Sequence, residues 1–161
     1  MLKRFIIFLL LIFLNQNFRA QFTTHKMVQV GYVYQNQNFA ELGGRLLFLK
    51  NDDFIYRLGA SALVGSANSK FAILPKLQGD ILINTERHVD LYHAYYFLTG
   101  AEVTSKYIAP KVGATLFGII DLTGGYAFPF SGQTINGKEL KGFNLNFTVN
   151  IPIVMLHDLL N

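Results

Sequence analysis

The side chains able to do chemistry are few and scattered. One cluster combines metal-ligand types, His88-Val89-Asp90-Leu91-Tyr92-His93. In an extended chain His88 and Asp90 share a face and His93 falls on the other, so the spacing fits a solvated turn better than a ligand set. His157-Asp158 lies in a C-terminal tail, and His25 stands apart. Ser61 and Ser66 have no histidine on a matching strand, and neither G-x-S-x-G nor H-E-x-x-H occurs. Asp52-Asp53 falls in a turn, unlike the facing carboxylates of a glycosidase. Gly43-Gly44 and Gly124-Gly125 lie inside strand patterns, where glycine marks close backbone approach and not a phosphate loop. Cysteine is absent, which excludes disulfides, thiolate zinc sites, a cysteine nucleophile and a lipid-modified N-terminal cysteine. No catalytic residue, cofactor site or metal site is assigned. The chemistry that remains is electrostatic: Glu41, Asp80, Glu102 and Asp121 balance Arg45, Arg57, Lys76 and Lys111.

Those eight residues belong to segments that repeat every second position, the period of a strand with one buried face. Residues 142–151 put Phe143, Leu145, Phe147, Val149 and Ile151 on one face and Asn144, Asn146, Thr148 and Asn150 on the other. Residues 39–49 set Ala40, Leu42, Gly44, Leu46 and Phe48 against Glu41, Gly43 and Arg45. Residues 54–64 set Phe54, Tyr56, Leu58, Ala60, Ala62 and Val64 against Arg57, Gly59 and Ser61. Similar alternation carries Lys76, Gln78 and Asp80 in residues 70–81, Lys111 in 107–117 and Asp121 in 119–128. Residues 27–35 and 91–103 alternate less cleanly, and Glu102 closes the second of them. The breaks are rich in Asn, Asp, Gly and Ser, and Asn136-Gly137 suits a turn with positive φ at both central positions. About eight strands result, and connections this short make neighbours antiparallel. The expected fold is all-β, a single antiparallel up-and-down barrel.

The 161 residues carry a net charge of +4, but Lys3, Arg4 and Arg19 precede residue 21 with no acid among them. Without them 11 bases face 10 acids, too even a balance for nucleic-acid binding. Lys3 and Arg4 followed by the ten apolar residues Phe5 to Leu14 read as a secretory signal peptide over residues 1–20, cleaved after Ala20. A spanning helix needs about 20 residues, and no later apolar run approaches that. The expected mature chain is residues 21–161, the barrel plus a short C-terminal tail after Pro152.

Alternation alone leaves two barrels open. A soluble barrel turns its apolar face inward, and a membrane barrel turns it towards lipid. A solvated face should be dense in Lys and Glu. Here the polar face is Gly, Asn, Thr and Ser with balanced charges, which suits a narrow lumen where unpaired ions are costly. Aromatic residues gather towards strand ends: Tyr32, Tyr34, Phe39, Phe71, Tyr107, Tyr126, Phe128 and Phe143 at one, Phe48, Phe54, Tyr56 and Tyr92 at the other. Two such girdles around an aliphatic band describe a lipid-facing wall, so the barrel is expected to be transmembrane.

A leader segment followed by eight alternating strands resembles the small outer-membrane barrels of the OmpA/OmpX-like superfamily, over about Lys26 to Ile151. Gly142, Leu145 and Phe147 match the spacing of that group's terminal assembly signal, whereas Leu140 occupies its polar position and the chain continues past Pro152. The resemblance implies the outer membrane of a Gram-negative bacterium, contact with its lipid and lipopolysaccharide, assembly by the barrel-assembly machinery, and a monomer without cofactor. With both ends periplasmic, the connections near 35–38, 65–69, 103–106 and 129–140 face outward. The longest offers Gln133, Asn136, Lys138 and Glu139 as surface contacts. The lumenal charges are expected to form a structural network. Two other functions stay open: a secreted lipocalin-like barrel binding an apolar ligand beside Phe143, Leu145 and Phe147, and an outer-membrane lipid-modifying enzyme.

Overall fold

The computed structural model describes residues 23–51, 53–85 and 95–155. Residues 1–20, Tyr92, the His88, Asp90 and His93 cluster, and His157-Asp158 lie outside the described residues. Eight strands follow in order: β1 (Thr23–Gln35), β2 (Asn38–Asn51), β3 (Phe54–Ala67), β4 (Lys70–Asn84), β5 (Tyr95–Thr104), β6 (Tyr107–Leu116), β7 (Ile120–Pro129) and β8 (Gly142–Pro152). Each pairs antiparallel with its sequence neighbours, and β1 with β8 closes the ring. Closure leaves no unpaired strand edge. Both termini of the barrel lie at one end, here the terminal end. The turns after β1, β3 and β5 and the long β7–β8 connection mark the other, the loop end.

Turn chemistry sets the register. Asn68 and Ser69 both take positive φ, 51° and 61°, so a two-residue turn joins β3 to β4. Positive φ at both central positions matches the right-handed twist of the flanking strands. Asn136 and Gly137, at 51° and 77°, repeat this at the tip of the β7–β8 connection. There Ile135 and Lys138 exchange backbone hydrogen bonds of 2.8 and 2.9 Å.

The faces fall as the alternation anticipates. Leu42, Leu58, Leu77, Val112, Leu122 and Phe147 point outward and exposed, while Glu41, Arg57, Lys76, Lys111, Asp121 and Asn146 point inward and buried. The strands at the start are longer than the hydrophobic pattern suggests: β3 continues through Gly65, Ser66 and Ala67 to the turn. Backbone pairing carries hairpin arms past the last apolar residue, because the ladder does not depend on side-chain character.

Two aromatic residues depart from the expected girdle. Phe39 and Tyr107 are 1% and 0% exposed and lie inside the barrel. Each shares parity with an inward charge on its own strand, Phe39 with Glu41 and Tyr107 with Lys111, and parity overrides position along the strand. The interior is also less uniformly polar than expected. Val33, Phe39, Leu63, Leu74, Tyr107 and Leu140 form an apolar cluster at the loop end. Met27, Leu47, Ile55, Leu82, Tyr96 and Leu98 form another at the terminal end.

Candidate functional site

Reading inward positions along one strand explains the interior. β2 presents Phe39, Glu41, Gly43, Arg45 and Leu47 in turn. β3 presents Ile55, Arg57, Gly59, Ser61 and Leu63, and β4 presents Leu74, Lys76, Gln78, Asp80 and Leu82. Each runs apolar, polar or charged, apolar, so closing the ring stacks the layers. From loop end to terminal end these are an apolar plug, a Lys–Glu quartet, an Arg–Asp quartet and a second apolar plug.

The Lys–Glu quartet comprises Glu41, Lys76, Glu102 and Lys111. Lys76 Nζ lies 2.6 Å from Glu41 Oε1 and 3.4 Å from Glu102 Oε2, and Lys111 Nζ lies 3.3 Å from the same Glu102 oxygen. Glu41 also accepts from Gln29 Nε2 and Ser61 Oγ, both at 2.6 Å. Glu102 is the hub, accepting from Tyr107 Oη at 2.8 Å, Asn144 Nδ2 at 2.9 Å and Asn146 Nδ2 at 2.7 Å. The Arg–Asp quartet comprises Arg45, Arg57, Asp80 and Asp121. Arg45 Nη1 meets Asp121 Oδ2 at 2.5 Å, and Arg57 Nη2 meets Asp80 Oδ2 at 3.3 Å. Thr115 Oγ1 and Asn150 Nδ2 donate to Asp121 at 2.8 and 2.9 Å, and Gln78 Nε2 donates to Asp80 at 2.7 Å.

All eight expected lumenal charges therefore meet inside the barrel. Buried ions persist only when paired and hydrogen-bonded, and each carboxylate here receives both a cation and at least one neutral donor. Glycine makes the room. A Cβ on Gly59 would stand 3.1 Å from Gln29 Oε1 and 3.3 Å from Arg45 Nε, and one on Gly100 would press on the Gly79 carbonyl and on Asp80 Oδ1.

No protein-family model, curated protein or solved structure matches the chain. Geometry alone therefore carries the functional argument.

The β7–β8 connection folds back over the loop end. Leu140 is fully buried in the loop-end plug, and Ile135 packs against it. Asn136 Nδ2 donates to the carbonyls of Ala67, Lys70 and Phe71 at 3.1–3.2 Å, and Asn68 Nδ2 donates to the Asn136 carbonyl at 3.1 Å. Of the four loop contacts singled out in the sequence, Asn136 thus has its amide engaged within the barrel's own turns. Gln133 accepts from Lys106 Nζ at 3.1 Å, while Glu139 pairs with Lys141 at 3.0 Å. That hydrogen bond, with the carboxylate charge, holds the Lys141 ammonium above its ordinary pKa. Lys138 contributes its backbone to the turn at Ile135.

Ser61 serves the ionic layer through Glu41, and Ser66 lies exposed on the wall. Phe143, Leu145 and Phe147 face outward and exposed, so they do not line an internal cavity. The two plugs are what the sequence reading missed. Their signal was present, since Phe39, Leu47, Ile55, Leu74 and Leu82 each stand two residues from an inward charge.

Proposed function

We propose that the chain is an integral outer-membrane β-barrel of a Gram-negative bacterium, similar to the OmpA/OmpX-like barrels, with a structural or surface-interaction role. One observation carries this reading. The outer wall presents Leu42, Leu58, Leu77, Val112 and Leu122 at 54–61% exposure, while the eight charges of the strand interiors are turned inward. In water that arrangement would expose a large apolar patch. In a bilayer it places hydrocarbon against hydrocarbon and leaves the closed backbone ladder fully paired. Exposed Tyr32, Tyr34, Phe71, Tyr126, Phe128 and Phe143 ring the loop end, and Phe54, Tyr56, Tyr95 and Phe97 ring the other. Such girdles suit the two membrane interfaces.

On this reading residues 1–20 are a cleaved export signal, the barrel-assembly machinery inserts the chain, and lipid and lipopolysaccharide surround the monomer. The apolar plugs and paired quartets favour a structural, side-chain-filled lumen over a conducting one. No catalytic step or cofactor is assigned. Fractionation after export is the test. The protein should stay with outer membranes and migrate faster on gels before boiling than after. Recovery in detergent-free soluble extract would remove the proposal.

A further inference from the structure

The loop end is basic. Its four connections, residues 36–37, 68–69, 105–106 and 130–141, together with Lys70 at the start of β4, hold Lys70, Lys106, Lys138 and Lys141 against Glu139 alone among charged residues. In sequence, the segments between β2 and β3 and between β4 and β5 reverse this balance, with Arg87 against Asp52, Asp53, Glu86 and Asp90. The segments that carry these lysines are tied to one another. The hydrogen bonds from Asn136 draw the β7–β8 connection onto Lys70 and Phe71. Phe130 N donates to the Lys106 carbonyl at 2.9 Å, and Lys106 Nζ reaches Gln133 at 3.1 Å. Three of the four adjoin exposed apolar wall: Lys70 precedes Phe71, while Lys106 and Lys141 each stand two residues from Ile108 and Phe143.

We propose that this lysine collar binds the phosphate groups of anionic membrane lipids whose acyl chains lie on the aromatic wall below. The proposal rests on the outer-membrane reading and adds a headgroup class and the residues that recognise it. The chemistry is a fit of charge and polarity. Ammonium groups on flexible stems reach a headgroup layer while their methylenes cover apolar surface. Phe71, Ile108 and Phe143 occupy the depth where the headgroup gives way to hydrocarbon. A lysine beside an anionic membrane surface favours association roughly fivefold. Four of them select anionic over zwitterionic lipid, and salt weakens the selection.

The full mature chain is refolded into vesicles of phosphatidylcholine and of equimolar phosphatidylcholine and phosphatidylglycerol. The compact, heat-modifiable band is then followed against urea. The wild type should unfold at higher urea in the anionic vesicles, and added salt should shrink that increment. The combined variant Lys70→Gln, Lys106→Gln, Lys138→Gln and Lys141→Gln should match the wild type in phosphatidylcholine and lose the increment. An increment that survives in the variant overturns the collar. So does an equal increment from inorganic phosphate added to phosphatidylcholine vesicles, which would assign the site to the free ion. Should the wild type form no compact band in either vesicle, the membrane reading itself fails and takes the collar with it.

Discussion

Arg57 on β3 and Asp121 on β7 stand four strands apart in a ring of eight, on opposite walls, and meet side-on in the lumen. Nη1 lies 3.1 Å from Oδ1 and Nη2 lies 3.0 Å from Oδ2. This planar fork is a geometry that lysine cannot copy. It ties the two walls directly, and Arg45 reaches the same carboxylate from β2.

Arg57→Ala leaves Asp121 and Asp80 buried with less compensation. It should lower unfolding stability by about 3–5 kcal/mol, the range for breaking a buried pair. Arg57→Lys should recover only part of the loss. Urea titration of the compact band measures both. A loss within error of zero would mean that the fork does not hold the walls.

Leu77 is 61% exposed and lies between the inward Lys76 and Gln78. If the wall meets acyl chains, Leu77→Arg should cost about 2–4 kcal/mol in vesicles, as expected near the bilayer midplane. In a barrel whose wall meets water, the same change would be neutral or helpful to solubility. Asn146→Arg tests the other face. It would remove the 2.7 Å hydrogen bond to Glu102 and add a fifth cation to balanced quartets, so the inward variant should also fold poorly.

Gly100→Ala should cost about 1–3 kcal/mol, the usual range for overpacking. The added Cβ would press on the Gly79 backbone carbonyl, which cannot swing aside as a side chain can. Gly44→Ala is the control, because its nearest neighbour would be the Met27 carbonyl at 3.8 Å. Equal stabilities for the two variants would contradict the close approach of β4 and β5.

Asn136→Ala removes the donor that the carbonyls of Ala67, Lys70 and Phe71 share. About 1 kcal/mol is expected for a lost hydrogen bond. The local effect should be larger than the global one. Limited proteolysis within residues 130–141 should accelerate while the barrel itself resists. Unchanged cleavage would show that Leu140 alone holds the connection down.

Strand order and the placing of the eight charges on one common face follow from a period of two and short connections, and the small residues and balanced charges of that face are what mark it as the inward one. Glu41 and Arg45 face the lumen because Leu42, Leu46 and the rest of the opposite set face out. Partner choice was not legible in the same way. Glu41 bonds Lys76 two strands away, and Arg57 bonds Asp121 across the full diameter. Such pairs depend on barrel diameter and stagger, which no single strand encodes. Aromatic type and position near a strand end point Phe39 and Tyr107 outward, but parity with Glu41 and Lys111 turns them into the lumen. Leu46-Leu47-Phe48 and Ile81-Leu82-Ile83 conceal inward apolar residues, since three apolar neighbours in a row hide which one points where. Asn136 reads as a turn former in sequence, and its second use as a clasp on β3 and β4 exists only once the ring has closed.

Each quartet contains two cations and two anions, so each is formally neutral. A transmembrane potential acts on net charge displaced, about 2.3 kcal/mol per elementary charge for each 100 mV. Between the plugs of this barrel the opposing pulls on each quartet cancel. If the barrel spans a membrane as proposed, polarising that membrane in either direction should exert no net pull on either quartet, and the barrel should behave as an inert post instead of a voltage-driven gate.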